Sequence, residues 1–85
     1  MQELRDQIRG FIVENFLFGD AEPLTDDGLS LLDNGIVDSV GVMEMVAFLE
    51  QTHGLKVEDK ELVPENFDSV ARLVAFVTRK KNGGA

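Results

Sequence analysis

The chain has 85 residues, a formal net charge of −8 and no cysteine. That length predicts one small domain, and a hydrophobic content of 44% favours a packed core over disorder. The absence of cysteine excludes disulfides, thiol nucleophiles and thiolate metal sites, and a single histidine argues against a zinc cluster. No apolar run approaches the roughly 20 residues of a membrane span, and the N-terminal sequence MQELRDQIRG lacks a signal-peptide core. We therefore expect a cytoplasmic protein without membrane insertion.

The charges are segregated along the chain. No lysine or arginine occurs between Arg9 and Lys56. The acidic residues of that segment are Glu14, Asp20, Glu22, Asp26, Asp27, Asp33, Asp38, Glu44 and Glu50. Such a segment argues against nucleic acid and anionic membranes as partners and favours a protein partner with a basic patch. The simpler interpretation is that the acids only keep the chain soluble.

An amphipathic helix is predicted near the start of the chain, ending before Gly19 and Pro23. Its apolar positions have the spacing of one helical face and are Leu4, Ile8, Phe11, Ile12 and Phe16. Residues 20–38 lack a clear period, and a loop of that length is unusual in a compact domain. The apolar residues that we expect to attach this loop to the core are Leu24, Leu29, Leu31, Leu32, Ile36 and Val37.

A second helix is predicted to begin at Asp38 or Ser39, because either residue is a good N-cap, and to stop at Gly54. The residues expected on its buried stripe are Val42, Met45, Val46, Leu49 and His53. Another face stays outside the core and carries Val40, Met43, Glu44 and Ala47.

The rest of the chain predicts a short helix and a longer one. Residues 55–67 are irregular, with one short helical turn expected over residues 59–63, before Pro64. A last helix is expected to start at Asp68 or Ser69, with the buried stripe Val70, Leu73, Val74 and Val77. The prediction is an all-α domain over residues 1–81, with three main helices, one short helix and a long first loop, followed by a flexible tail over residues 82–85.

Ser39 is the candidate for chemistry, although the simplest interpretation is a plain N-cap. A serine hydrolase needs a base within hydrogen-bonding reach. The single histidine, His53, lies fourteen residues further along the same predicted helix, about 21 Å away at 1.5 Å per residue. The string VDSVG also lacks the first glycine of G-x-S-x-G. We therefore expect His53 to be a packing residue and expect no catalysis.

The acidic loop is a poor candidate for calcium. An EF-hand requires D-x-[DN]-x-[DN]-G with a glutamate at the twelfth position, and TDDGLSLLDNG does not fit that spacing. We expect solvated acids there and no dedicated metal site, with loose divalent binding as the alternative.

The string GIVDSVGVMEMVAFLE resembles the modification site and following helix of acyl carrier proteins. The resemblance covers the whole chain, because the order of helix, acidic loop, Asp-Ser pair and later helices is the same. It implies a four-helix bundle with 4′-phosphopantetheine on Ser39. A phosphopantetheinyl transferase would attach this arm with magnesium and coenzyme A.

The resemblance also implies that the second helix of a monomeric carrier docks basic partner enzymes. Glu44 and Glu50 match partner-contact positions, and Asp38 matches the acid that helps the transferase step. Because Asp38 would repel a neighbouring phosphate, we expect it to serve a partner or metal rather than the fold. The apolar strip expected inside this acidic rim is formed by Val40, Met43 and Ala47.

Two departures from the fatty-acid motif bear on the cargo. Ile36 and Val37 separate Gly35 from Asp38, and Gly41 stands where another acid is common. GIVDSVG is similar to stand-alone carriers loaded by adenylating ligases, including D-alanyl carrier proteins. We therefore expect an ATP-dependent ligase, followed by synthases or transferases, rather than a malonyl transferase. Glycine inside a helix costs about 1 kcal/mol, so we expect it to admit a partner backbone or to tolerate a bend.

Two other hypotheses remain open. One is an unmodified acidic adaptor that docks a basic partner through the second helix, and the other, less favoured, is an enzyme that uses Ser39.

Overall fold

The computed structural model describes residues 2–83, with Gln2 described by its backbone alone. The helices in chain order are α1 (Gln2–Phe16), α2 (Ser39–His53), a 3₁₀ turn (Asp59–Glu61), α3 (Pro64–Phe67) and α4 (Val70–Lys81). No strand occurs in this part of the chain. The predicted all-α fold, with three main helices and a long first loop, is confirmed.

Helix α1 presents the predicted apolar stripe to the core. Ile8 and Ile12 are fully buried, while Leu4, Phe11 and Phe16 are partly buried against the same cluster. The end of this helix lies beside α2: the Phe11 ring stacks on Phe48 with centroids 4.2 Å apart. Further along, the Phe16 ring lies against Gly41 near the start of α2. Since later residues of α1 meet earlier residues of α2, the two helices run antiparallel.

The boundaries of α2 follow from local capping. Asp38 has an extended backbone, and its carboxylate accepts a hydrogen bond from the Gly41 N–H at 2.9 Å. At the other end Gly54 is left-handed, with φ of 66°, and donates its N–H to the Glu50 carbonyl. Asp38 is therefore the N-cap, and Ser39 is the first residue inside the helix.

The buried stripe of α2 is narrower than predicted. Met45, Val46 and Leu49 are buried, whereas Val42 and His53 are only partly buried. Helix α2 therefore has more apolar side chains than the core buries, and the remaining ones lie on other faces of the helix.

The long loop is attached to the core as expected. Its buried residues are Leu24, Leu31, Ile36 and Val37, and Leu29 packs against the cluster. The expectation is wrong for Leu32, which is 37% exposed.

Hydrogen bonds that Asp68 accepts hold the loop against the junction between α3 and α4. The Asp68 carbonyl accepts from the Leu31 N–H at 2.8 Å. Its carboxylate accepts from the Leu32 N–H at 2.9 Å and from the Ser30 hydroxyl at 2.7 Å. Because the last stretch of this loop leads directly into α2, these bonds help to position Ser39.

A second attachment involves Asp27. Its carboxylate binds the guanidinium groups of Arg5 and Arg9, and its carbonyl accepts from the Ala71 N–H. The Arg5 hydrogen bond is the main cause of a lowered pKa at Asp27. One loop residue therefore connects α1 with α4.

The short helix differs from the prediction of one turn over residues 59–63. A 3₁₀ turn, Asp59–Glu61, is followed by a separate helix that starts at Pro64. Proline favours the first position of a helix, since its missing N–H is not needed there. Pro64, which we expected to follow the end of a helical turn, is therefore the first residue of α3.

Helix α4 begins where predicted. The Ser69 hydroxyl accepts from the Arg72 N–H at 3.1 Å and caps the helix. The predicted stripe is buried at Val70, Leu73 and Val77 and partly buried at Val74; Phe76 is also buried but was not predicted.

The end of the chain is described as far as Gly83. Asn82 and Gly83 donate their N–H groups to the Thr78 and Lys80 carbonyls. Gly84 and Ala85, which complete the predicted tail, lie outside the described residues, so the boundary after residue 81 stays a prediction. Within the described chain, none of the helices has the length and apolarity needed to span a membrane.

Candidate functional site

Ser39 is an exposed serine at the N-terminus of α2. Its hydroxyl makes no hydrogen bond to the described residues, whereas Ser30 binds Asp68 and Ser69, only 2% exposed, caps α4. The Asp-Ser pair occurs twice in the chain, but in the second pair the serine is the cap. Among the described serines, Ser39 alone has a free, accessible hydroxyl.

An apolar cleft of about 310 Å³ lies beside Ser39. Its walls come from the loop, α2 and the α3 region and include Leu32, Val42, Met43, Val63 and Phe67. The exposure of Leu32 is thereby explained, because its side chain lines this cleft. A flexible group attached to Ser39 would have an apolar wall next to its attachment point.

The outer face of α2 consists of Val40, Met43, Glu44 and Ala47, all exposed. Their spacing of three, four and seven residues places them on one side of the helix. Val40 is 70% exposed and Met43 53%, which is unusual for large apolar side chains. We call these four residues the α2 face; the structure brings them together outside the core, as the sequence predicted.

Glu50 differs from Glu44 in its surroundings. It is partly buried, and its Oε2 accepts a hydrogen bond from the Val57 N–H at 2.9 Å. This carboxylate therefore holds the segment that follows α2. Its predicted role in partner binding stays a prediction.

Two expectations for residues next to Ser39 are wrong. Asp38 does have a structural role, since it caps α2 through the Gly41 N–H, while its predicted contact with a partner stays a prediction. Gly41 is buried and cannot admit a partner backbone: a Cβ there would lie 3.1 Å from Phe16 Cε1 and 3.2 Å from Val37 Cβ. The glycine instead allows α1 to pack closely on the start of α2.

The single histidine lies far from Ser39, and the described structure holds no metal cluster. Ser39 and His53 are the first and last residues of α2, about 21 Å apart at 1.5 Å per residue. No group of three or more His, Cys, Asp or Glu side chains is arranged to hold a metal within residues 2–83. The arrangement can therefore present a hydroxyl for modification.

Sequence reasoning missed the residues that position the serine through distant contacts. Asp68 binds the loop, Asp27 attaches the loop to α1 and α4, and Phe16 packs on Gly41. The only signal in the sequence was the unexplained glycine inside α2.

The free hydroxyl at the start of α2 fits the covalent attachment of a phosphate-linked arm. The Ser39 and Val40 N–H groups make no hydrogen bond to the described residues, and a helix N-terminus favours an anion. Together with the cleft, this arrangement accommodates both a phosphodiester and a flexible chain.

Comparison with known proteins supports the presence of such an arm. No family model matches the chain. It is 34% identical to a probable acyl carrier protein, PigG, of Serratia sp. (strain ATCC 39006), over 96% of this chain and 98% of that protein. It is 31% identical to a D-alanyl carrier protein of Abiotrophia defectiva over 65% of this chain and 70% of that one, and 27% identical to another of Streptococcus sanguinis (strain SK36) over 84% and 87%. The chain therefore belongs to the acyl carrier protein family, whose members carry acyl groups on a covalently attached 4′-phosphopantetheine.

Proposed function

We propose that Ser39 bears the 4′-phosphopantetheine arm and that the chain presents a thioester-bound acyl or aminoacyl group to partner enzymes in the cytoplasm without catalysing a reaction itself. The observation that carries this proposal is the exposed Ser39 hydroxyl without a hydrogen-bond partner in the described structure. A chain without cysteine has no thiol of its own, so the arm supplies the thiol for the thioester.

The attachment site is tested by mass spectrometry. The protein purified without its arm is incubated with coenzyme A, magnesium and a phosphopantetheinyl transferase, and intact mass and peptide masses are measured. We expect one added arm on Ser39 in the wild type and in Ser30→Ala, and none in Ser39→Ala. An arm on Ser30 or Ser69 would refute the site, and no arm at all would favour the unmodified adaptor.

We further propose the α2 face as the docking surface for the transferase, the loading ligase and the downstream enzymes of a monomeric carrier. Support comes from the two exposed apolar residues Val40 and Met43 beside exposed Glu44. Asp38 and Glu50 flank this face. Oε1 of Glu50 accepts no hydrogen bond from the described residues and is the oxygen left for a partner.

The cargo is proposed to arrive through an ATP-dependent adenylating ligase. The partial likeness to D-alanyl carrier proteins supports this route, as does the two-residue gap between Gly35 and Asp38. The test offers the arm-bearing protein to the adenylating ligases and the malonyl transferase of the same cell, with ATP and amino or carboxylic acids or with malonyl-coenzyme A. Acylation by a ligase alone is expected; malonyl transfer without ligation would refute the proposal.

A further inference from the structure

Phe18, just after α1, has two features that are energetically unfavourable for the folded chain. Its side chain is 97% exposed, and its φ is 55°. Among the described residues it is the one non-glycine with positive φ. Bulky side chains are disfavoured in that region, and strained residues that persist often serve function.

The turn explains the backbone but not the ring. The Val13 carbonyl accepts from both the Leu17 N–H at 3.2 Å and the Gly19 N–H at 2.9 Å, so the chain turns back over the end of α1. Both Phe18 and Gly19, with φ of 55° and 85°, are left-handed in this turn. A glycine at position 18 would make the same turn without steric cost. The phenyl ring is not part of the core cluster.

Phe18 lies at the end of the bundle that carries Ser39. The antiparallel contacts between α1 and α2 pair Phe11 with Phe48 and Phe16 with Gly41. Phe18 follows Phe16, the last residue of α1, by two residues, and Ser39 precedes Gly41 by two residues. Both residues are therefore close along the chain to the contact between Phe16 and Gly41.

The surroundings of Phe18 are anionic. Glu14, Asp20 and Glu22 are exposed close to it in the chain, and no lysine or arginine occurs between Arg9 and Lys56. A second copy packed through the same segment would bring the same charges against it and be repelled. An occupant with an apolar pocket and a basic rim fits instead.

We propose that Phe18 is a contact residue for the phosphopantetheinyl transferase, which would receive the ring in an apolar pocket edged by lysine or arginine. This inference rests on the proposed attachment of the arm to Ser39. The transferase acts before the arm exists, so its active site must reach the Ser39 hydroxyl itself and its surface must cover this end of the bundle. Later enzymes reach their substrate through the arm and have no such requirement.

The test compares Phe18→Gly with Phe18→Leu, which keeps an apolar side chain, and with Ala21→Gly, which changes a neighbouring exposed residue. Initial rates of arm attachment give kcat/KM, and thermal unfolding gives Tm. We expect Phe18→Gly to lower kcat/KM about tenfold, as expected for a buried aromatic contact, mainly through a higher KM. Its Tm should be equal or higher, because strain is relieved. Phe18→Leu should recover most of the rate, and Ala21→Gly should match wild type.

The outcomes separate this inference from the proposed function. If Phe18→Gly is modified to completion on Ser39 at the wild-type rate, the attachment site stands and the Phe18 contact is refuted. A slower rate with a lower Tm would also refute it, because the ring would then serve the fold. A wild-type dimer in sedimentation that is lost in Phe18→Gly would assign the ring to self-association and overturn the proposal.

Discussion

The ring of Phe16 lies so close to Gly41 that a Cβ on Gly41 would come within 3.1 Å of its Cε1. The Cβ of Val37 would be 3.2 Å away on another side. A side chain at residue 41 would therefore push the end of α1 and Val37 away by a few tenths of an ångström. Ser39 is two residues earlier on the same helix, so this contact contributes directly to its position.

Gly41→Ala is expected to lower the free energy of unfolding by about 1 kcal/mol. Alanine gains about 1 kcal/mol of helix propensity over glycine, but overpacking typically costs 1–3 kcal/mol, and Val37 Cβ is attached to the backbone and cannot swing away. Gly10→Ala is the matched control: a Cβ there meets nothing within 4 Å, so about 1 kcal/mol of stabilisation is expected. Urea unfolding of both variants checks the signs; two gains would contradict the packing argument.

The sequence predicted the helices whose boundaries are set by hydrogen bonds between neighbouring residues. Asp38 and Ser69 cap α2 and α4 through bonds within a few residues, and Gly54 ends α2 in the left-handed conformation. The start of α3 was missed because Pro64 is compatible with either end of a helix in sequence alone.

The sequence predicted Ser39 as the candidate site but did not predict the residues that hold it in position. The Asp-Ser pair and the apolar residues around it are readable from neighbouring positions. The hydrogen bond that the Ser30 hydroxyl donates to Asp68 joins residues 38 positions apart, and no local pattern specifies it. Phe16 and Gly41 are likewise distant in sequence, so the reason for the glycine became visible only in the packed structure.

Asp68→Ala is expected to destabilise the fold by about 1–3 kcal/mol, because it leaves the Leu32 N–H and the Ser30 hydroxyl without their acceptor. Asp33→Ala is the control from the same loop. The Asp33 carboxylate is exposed and accepts no hydrogen bond from the described residues, so a change within about 0.5 kcal/mol is expected. Equal losses in chemical denaturation would show that the Asp68 bonds do not support the loop.

Glu44→Lys is expected to slow acylation of the arm-bearing protein by its ligase, with the largest effect at low salt. Charges at the rim of an interface act mainly on the association rate, and salt shortens their range to about 8–10 Å near physiological strength. Glu3→Lys serves as control because Glu3 lies near His53, at the other end of α2. Initial acylation rates at several salt concentrations measure the difference. The prediction fails if Glu44→Lys matches wild type at low salt, or if Glu3→Lys slows acylation equally.

The imidazole of His53 is expected to make the stability of the fold depend on pH. Its Nε2 is buried without a hydrogen-bond partner among the described residues, in a site lined by Glu3, Leu4, Gln7 and Lys81. Burial, and then the charge of Lys81, lower the pKa of His53 from its ordinary 6.5. The C-terminus of α2 favours a cation, but the loss of hydration outweighs that attraction.

Because the pKa of His53 is lower in the folded chain, the unfolded chain binds a proton first as the pH falls. The contribution of neutral His53 to stability is therefore fully present above about pH 6.5. It declines as the pH falls toward the pKa of His53 in the folded chain. The pKa values of Asp27 and Glu61 are also lowered, but these carboxyl groups change stability only at more acidic pH. Between pH 7.5 and pH 5.5 we therefore expect His53 to dominate the pH dependence. In His53→Gln, which stays neutral, the free energy of unfolding should change less between pH 7.5 and pH 5.5 than in wild type. Equal slopes in urea titrations across that range would show that His53 is not the group responsible.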